Sequence, residues 1–427
     1  MTLFLLLGLV VLLALNVPIA FAMLFISILY LLFKGDVPLI AVAQRVVAGT
    51  DHYLLLAIPF FFLAAELMGL GGMLDRLMRF ATVLVGHIRG GLAQVNVLSS
   101  MLFAGISGSA VADAAGMGRL EIEMMHKGGY GRGFAAAITA SSSTIGPVIP
   151  PSIPFVVYAG IAGVSVGSLF LAGIVPGILM GVGLMVAVDV IARKRNYPRE
   201  RRATLREVLI ATWYSIPILL LPVIIIGGIR SGVFTPTEAA VVAAVYAFAL
   251  GWLLLRTLGW LALYGALLKV GTDTARLTFI IASSSIFAWI LAREGIPQAI
   301  ANAFVEISRE PWVVLLLINV LLLILGMFLE PIVVLVLLTP ILSPLITLIG
   351  IDPVHFGVIM TINLMLGLLT PPVGTVMFIV MGIANLTMEQ YLAETWPFIA
   401  VLIVVLLLVT YVPAVSLFLP NLFSGVG

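Results

Sequence analysis

Long apolar segments, separated by short polar stretches, follow one another along almost the whole chain. Segments such as 313–325 and 399–408 are apolar without interruption and lack the alternation of a strand, so they predict helices. Hydrophobic residues make up 62% of the 427 residues and charged residues only 9%, whereas a soluble domain carries roughly 25% charged residues. The pattern therefore predicts an all-α integral membrane protein with roughly ten membrane crossings.

Two of the apolar segments, 134–162 and 354–384, are interrupted by a Pro-Pro pair with glycine nearby. Proline has no N–H and its ring clashes with the preceding turn, so neither segment can form one continuous helix. Inside a bilayer, each backbone group freed by such a break must be satisfied by protein, water or an ion. We therefore expect a binding site at each break.

The two interrupted segments belong to a repeat with an offset of 221 residues. Four pairs of positions keep this offset: Gly105 and Gly326, Gly146 and Gly367, Pro150 and Pro371, and Pro151 and Pro372. Before each break, a short apolar segment and a following helix predict a re-entrant hairpin, at 90–132 and at 311–349. We therefore predict two units, 1–192 and 229–427, each with a hairpin and a discontinuous helix.

A basic linker at 193–207 and a connecting span at 208–228 join the two units. The stretch 193–206 holds seven of the 21 Lys and Arg residues. Because hairpins return to their own side, the connecting span starts the second unit on the opposite side of the membrane, which predicts an inverted repeat. With the linker in the cytoplasm, all but five Lys and Arg residues are cytoplasmic, in agreement with the positive-inside rule. The five exceptions are Lys34, Arg45, Arg230, Arg293 and Arg309.

The N-terminal segment 3–33 is interpreted as one retained span, kinked near Asn16 and Pro18. No basic residue precedes its apolar run, and the run continues well past the small residues at 20–22, unlike a cleaved signal peptide.

Inverted repeats with hairpins and discontinuous helices are typical of secondary transporters, whose substrate and coupling ions bind near the middle of the membrane. Free N–H groups at half-helix N-termini suit an anion, and unwound carbonyls suit a small hard cation such as sodium. The pattern therefore favours sodium-coupled transport of a small anionic substrate across a lipid bilayer.

The candidate sodium ligands lie at the hairpin tips and the breaks. The first site contains Ser107, Ser109, Gly146, Ile149 and Pro151, mainly through backbone carbonyls. The second site contains Gly326, Glu330, Thr370 and Pro372. The alternative for both sets is close helix packing through small residues. For Glu330 a further alternative is that its carboxylate caps the following helix.

Polar side chains along the broken segments are candidates for substrate contact. They are Ser141, Ser142, Ser143, Thr144 and Asn363. Hydrogen bonding from helix to helix explains them equally well. Glu66 lies within a span, and the choice between a functional carboxylate and one near the membrane surface is open. Asp113 is either close to the first ion site or solvated near the hairpin tip.

Several classes of function are excluded by what the sequence does not contain. There is no cysteine, the four histidines are scattered, and no glycine-rich loop is followed by lysine, so thiol catalysis, a histidine metal site and nucleotide binding have no support. The net charge of +2 is too small to indicate a nucleic-acid partner. We therefore predict that the protein is not an enzyme.

Four motifs resemble the large membrane subunit of tripartite ATP-independent periplasmic (TRAP) transporters. They are Gly-Ile-Ser-Gly-Ser-Ala-Val-Ala-Asp at 105–113, Gly-Pro-Val-Ile-Pro-Pro-Ser at 146–152, Gly-Val-Phe-Thr-Pro-Thr-Glu-Ala at 232–239 and Leu-Thr-Pro-Pro-Val-Gly at 369–374. The resemblance covers essentially the whole chain. It implies an elevator-type transporter of the bacterial inner membrane with sodium as the coupling ion. It also implies a separate small four-helix membrane subunit and a periplasmic binding protein that delivers an organic acid, such as a C4-dicarboxylate or a sugar acid.

Two other functions are compatible with parts of the pattern. A self-sufficient sodium–carboxylate symporter would have the same hairpins and breaks but need no binding protein. A passive channel would explain broken helices along a pore but gives no reason for two inverted hairpins.

Overall fold

The structure is a computed structural model that describes residues 2–15 and 17–424, and over these residues all regular structure is helical. The first half contains α1 (Thr2–Ala14), α2 (Ile19–Lys34), α3 (Ile40–Thr50), α4 (Ala57–Leu70), α5 (Met73–Val85), α6 (Gly91–Ser107), α7 (Ala110–Gly116), α8 (Gly118–Lys127), α9 (Arg132–Ser143), α10 (Ile153–Ala162) and α11 (Val166–Arg195). A 3₁₀ turn, Tyr53–Leu56, leads into α4.

The second half begins with a long connecting helix. It contains α12 (Leu205–Arg230), α13 (Pro236–Ala249), α14 (Trp260–Arg293), α15 (Ile296–Ile307), α16 (Pro311–Phe328), α17 (Pro331–Leu348), α18 (Pro353–Gly367), α19 (Thr375–Ala384), α20 (Met388–Tyr411) and α21 (Ala414–Ser424). A π-helical turn, Leu250–Leu254, extends α13.

Within the described residues, eight helices are long and apolar enough to cross a membrane. They are α11, α12, α14, α16, α17 and α20, together with α4 and α13 when these include their adjoining turns. The two halves of each broken helix are shorter, with 12 and 10 residues in α9 and α10. The prediction of an all-α integral membrane protein is confirmed.

The helix boundaries follow the offset of the sequence repeat. Helices α9 and α18 begin 221 residues apart, and α10 and α19 begin 222 residues apart. The same correspondence relates α5 to α15, α6 to α16, and α7 with α8 to α17. Each half therefore places a pair of helices ahead of a helix that is interrupted at its Pro-Pro pair.

The first predicted hairpin is an antiparallel pair of arms. Asn96 on α6 lies beside Glu121 on α8, and Ser99, one turn later on α6, bonds to the same carboxyl group. Near the open end of the hairpin, a Cβ added to Gly128 would meet Leu92. Both arms pack on α9, and in the second half α16 and α17 both pack on α18. The hairpins are therefore docked along the broken helices.

The two halves interlock around these broken helices. Helix α9 packs on α19 and α20, whereas α10 packs on α17 and α18. Where α10 meets α18, Tyr158 Oη donates a 2.7 Å hydrogen bond to the carbonyl of Pro353. A second set of contacts, α4 with α13 and α14 and α5 with α12, lies outside this core.

The N-terminal segment differs from its prediction as one kinked span at 3–33. Helices α1 and α2 run antiparallel, because the rings of Phe4 and Phe33 lie 5.8 Å apart and Gly8 faces Ile26. The chain therefore reverses before Pro18; the predicted kink residue Asn16 lies outside the described residues. A residue that precedes proline is held away from the helical region, which favours a turn over a bend here. The predicted span is wrong, and the number of crossings before the linker cannot include it as one crossing.

Two other boundaries also differ from the prediction. Helix α11 continues to Arg195 and α12 begins at Leu205, so only 196–204 of the linker is non-helical. Thr204 and Glu207 form a reciprocal capping box that starts α12. The stretch 257–269, interpreted as a separate interfacial segment, largely belongs to α14, a continuous helix of 34 residues.

The basic linker gives a direct test of orientation. Because the chain has no cysteine, single variants Arg202→Cys and Arg309→Cys report the side of each residue without background. Both positions are exposed, and the positive-inside count puts them on opposite sides. A membrane-impermeant maleimide should label Arg309→Cys in intact spheroplasts, and Arg202→Cys only after the membrane is opened. The reverse pattern would overturn the predicted orientation.

Candidate ion and substrate site

The tip of the first hairpin lies against the first helix break. Gly108, between the two arms, has φ +58°, and a Cβ there would be 2.5 Å from the carbonyl oxygen of Pro151. Only glycine fits this close approach in this backbone conformation. On the other side of the break, Gly146 faces the backbone of Ser109 at 3.6 Å. The structure therefore brings together the tip and break residues of the first predicted sodium site.

Several oxygen atoms at this contact lack a donor. Ser107 Oγ is buried without a hydrogen-bond partner. Within the described chain, no donor lies within hydrogen-bonding distance of the carbonyls of Gly146, Ile149 and Pro151. Pro150 occupies the position whose N–H would bond to the Gly146 carbonyl in a continuous helix. Free oxygen atoms in a buried site are the ligands that a small hard cation requires.

Two members of the first site also have structural roles. Ser109 is the N-cap of α7, and its Oγ accepts a hydrogen bond from the N–H of Ala112 at 3.3 Å. The Ile149 side chain packs against Gly177 on α11, so its carbonyl is the group left for an ion. The site therefore depends on backbone geometry more than on side-chain identity.

The second hairpin meets the second break through the backbone. Gly367 lies directly against Gly326, and a Cβ on Gly367 would be 2.4 Å from the carbonyl carbon of Gly326. The N–H of Val373 donates a 3.1 Å hydrogen bond to the carbonyl of Met327. Both Pro-Pro peptide bonds, Pro150–Pro151 and Pro371–Pro372, are cis.

The second set of predicted ligands is more open than the first. Pro372 is exposed, whereas Pro151 is buried. Thr370 Oγ1 donates to the Gly367 carbonyl at 3.0 Å, and the Thr370 carbonyl accepts from Gly374 N–H at 3.2 Å. Glu330 occupies the N-cap position of α17 but makes no side-chain capping bond. The alternative that its carboxylate caps the helix through a hydrogen bond is therefore not supported.

The predicted substrate residues are buried and have partners within the protein. Ser141, Ser143 and Thr144 donate to carbonyls three or four residues earlier in their own helix. Ser142 bonds across to Asn96, and Asn363 bonds across to Asn319. Of this set, only Asn363 retains a buried oxygen without a partner, Oδ1, in the described chain. Helix-to-helix hydrogen bonding accounts for Ser142 and for the amide group of Asn363.

The two carboxylates left open by the sequence have clear environments. Glu66 on α4 forms a 2.6 Å ion pair with Lys269 on α14. Asp113 on α7 is 1% exposed, and neither of its carboxyl oxygens has a partner among residues that the structure describes. The alternative that Asp113 is solvated is therefore wrong, because α7 turns this face inward.

Sequence reasoning missed a polar network between the first hairpin and α9. Its members are Asn96, Ser99, Ser100, Glu121, Thr139 and Ser142. Polar residues at 96, 99 and 100 share one face of α6 and were a usable signal. The network has no free position facing the first break, so it lies beside the predicted ion site.

Carboxylate and histidine ligands are not gathered for a metal ion in the described parts of the chain. No group of three or more His, Cys, Asp or Glu side chains is close enough to hold one there. A cation at the first break would therefore be held by carbonyls and hydroxyl groups, which fits sodium better than a transition metal.

Eight candidate spans, with broken helices against paired hairpins, define a membrane transporter. The chain belongs to the family described as "Tripartite ATP-independent periplasmic transporter, DctM component", whose model matches residues 6–415. Proteins of this family are permease subunits of the bacterial inner membrane, and the protein is therefore a transporter subunit and not an enzyme.

Similar proteins are found among large permease subunits. The chain is 42% identical to "Sialic acid TRAP transporter large permease protein SiaM" of Vibrio cholerae, over 96% of each chain. It is 44% identical to "C4-dicarboxylate TRAP transporter large permease protein DctM" of Pseudomonas aeruginosa, over 92% of this chain and 91% of that one. The solved structure of the Alcanivorax borkumensis YdaH transporter has a TM-score of 0.65 and 14% identity over 86% of each chain, which shows similarity of fold.

Proposed function

We propose that this subunit imports an organic acid by sodium symport, with the acid delivered by a periplasmic binding protein. The observation that carries the proposal is the contact between the first hairpin tip and the first break, where buried oxygens lack donors. In a membrane, such groups are stable only with a partner. Sodium is a partner that matches the carbonyl and hydroxyl ligands.

The coupling ion binds where two separate elements meet, which suits coupled transport. Ser107 and Ser109 belong to the hairpin, and Gly146, Ile149 and Pro151 belong to the broken helix. An ion shared between them stabilises the docked hairpin. The same arrangement at Gly326, Thr370 and Pro372 supplies a second, more open site. Glu330 has no capping bond and remains a candidate ligand there.

The interlocked hairpins and broken helices move as one body in the elevator mechanism that we propose. These elements pack on one another across the two halves, whereas α4, α12, α13 and α14 form the contacts outside them. From α4 to the equivalent part of α14, the chain crosses the membrane an odd number of times, because each hairpin returns to its own side. This count supports inverted units and does not involve α1 or α2.

The relatives indicate the class of substrate and the partners. One is a sialic acid permease and another a C4-dicarboxylate permease, so a carboxylate is the substrate group that we propose. Ser141, Ser143 and Thr144 remain proposed contacts, made through a rearrangement of α9. We also propose a separate small four-helix membrane subunit as the permanent partner.

Sodium-driven uptake into liposomes tests this function. The chain and its small subunit, reconstituted together, should accumulate a radiolabelled organic acid under an inward sodium gradient once the binding protein is added. Replacing sodium with choline should remove the accumulation. ATP inside or outside should have no effect.

Two results would contradict the proposal in different ways. Undiminished uptake without sodium would reject sodium as the coupling ion. Full uptake without any binding protein would instead favour the self-sufficient symporter.

A further inference from the structure

The first hairpin contains a buried carboxyl group that the proposed transport site does not use. Glu121 on α8 is 0% exposed, and its Oε2 accepts a 2.9 Å hydrogen bond from Asn96 Nδ2. Its Oε1 lies 2.7 Å from Ser99 Oγ. Both partners are on α6, so this carboxyl group joins the two arms of the hairpin.

Asn96 extends the contact from the hairpin to the first broken helix. Its Nδ2 also donates to Thr139 Oγ1 at 2.7 Å, and its Oδ1 accepts from Ser142 Oγ at 2.7 Å. Both of these hydroxyl groups are on α9. The charge of Glu121 therefore acts directly on the surface where the hairpin docks.

Cationic side chains do not face Glu121 from the described elements packed around it. Helices α6 and α19 contain no ionisable residue, and α9 contains only Arg132, which is exposed. On α8 itself the other ionisable side chains are exposed: Arg119, Glu123, His126 and Lys127. Helix α7 contributes Asp113, a second buried carboxyl group that repels a charge on Glu121. An ionised carboxylate in such surroundings is costly enough that it takes up a proton instead.

We infer that Glu121 is a proton-binding site that is occupied when the first hairpin is docked on α9. The hydrogen atoms can be assigned consistently. Glu121 Oε1 donates to Ser99 Oγ, and the Ser99 hydroxyl donates to the Val95 carbonyl at 2.7 Å. Asn96 keeps both of its N–H groups for Glu121 Oε2 and Thr139. Loss of the proton places a negative charge beside Asp113 and weakens the docking of the hairpin.

The variant Glu121→Gln tests this assignment, because its amide is neutral at every pH and has nearly the same shape. A site protonated in the folded state stabilises the protein at low pH and loses this effect as the pH rises. The thermal midpoint of the wild-type complex with its small subunit should fall between about pH 5 and about pH 9. The midpoint of Glu121→Gln should lack this fall and exceed that of the wild type at the alkaline end.

Glu123→Gln is the matched control, two residues away on the same helix. Glu123 is exposed and forms a 2.8 Å ion pair with Lys127, so its replacement should leave the pH profile of the wild type unchanged. Glu121→Gln should also keep the midpoint shift that sodium causes, because Glu121 is not a member of the ion site. This separates the inference from the proposed sodium coupling.

Infrared spectroscopy of the wild type gives a second measurement that needs no glutamine variant. The carbonyl band of a protonated carboxyl group should be present at neutral pH and lost on alkaline titration. In Ser99→Ala the band should shift, because its hydrogen-bond partner is gone. No such band in the wild type, or its persistence in Glu121→Gln, would overturn the inference. So would a Glu121→Gln profile that follows the wild type.

Discussion

Replacing Gly367 with alanine should abolish sodium-driven uptake and lower the thermal midpoint of the subunit. The new Cβ would lie 2.4 Å from the carbonyl carbon of Gly326 and 2.5 Å from its oxygen. Both neighbours are backbone atoms, so no side-chain rotation relieves the contact, and the second hairpin must move away from α18. Overpacking of this kind typically costs about 1–3 kcal/mol.

Two matched variants separate this contact from a general effect of alanine. Gly326→Ala changes the other partner, but its Cβ would find its nearest neighbours at 3.4 Å, an ordinary contact, so it should transport well. Gly382→Ala on α19 meets nothing within 4 Å, and its helix should gain up to about 1 kcal/mol. Wild-type uptake by Gly367→Ala, measured in the same liposomes, would show that the close approach is not required for transport.

The helix breaks could be predicted from the sequence because proline acts locally. A ring without an N–H opens a helix whatever surrounds it, and the repeat identified which breaks and hairpin tips correspond. The structure accordingly places Gly108 against Pro151 and Gly326 against Gly367. What the repeat could not predict is that the two sites differ in exposure, since this depends on which helices cover each break.

The Glu121 network and the N-terminal reversal could not be predicted for a related reason. Glu121 is followed within a few residues by exposed charged side chains, and its burial is decided by the packing of α6 and α9 on one side of α8. Helices α1 and α2 are both apolar, so their composition is compatible with one bent span as well as with an antiparallel pair. Long-range packing selects the second arrangement.

Removing the Ser107 hydroxyl should weaken sodium binding without destabilising the sodium-free protein. Ser107 Oγ is buried and lacks a hydrogen-bond partner, so Ser107→Ala removes a desolvated polar group rather than a hydrogen bond. If this oxygen is a ligand, its loss should weaken sodium binding about tenfold, which is about 1.4 kcal/mol. At saturating sodium the stabilisation by the ion falls by the same amount, because ligand binding adds to the stability of the folded state.

Ser27→Ala supplies the control, since Ser27 is also fully buried but donates a 2.6 Å hydrogen bond to the Met23 carbonyl, far from either break. Its loss should lower the midpoint with and without sodium by the same amount. Ser107→Ala should match the wild type without sodium and show a smaller midpoint increase as sodium is added. If Ser107→Ala lowers the sodium-free midpoint and keeps the full sodium-induced increase, Ser107 serves helix packing, and the first ion site must be built from backbone carbonyls alone.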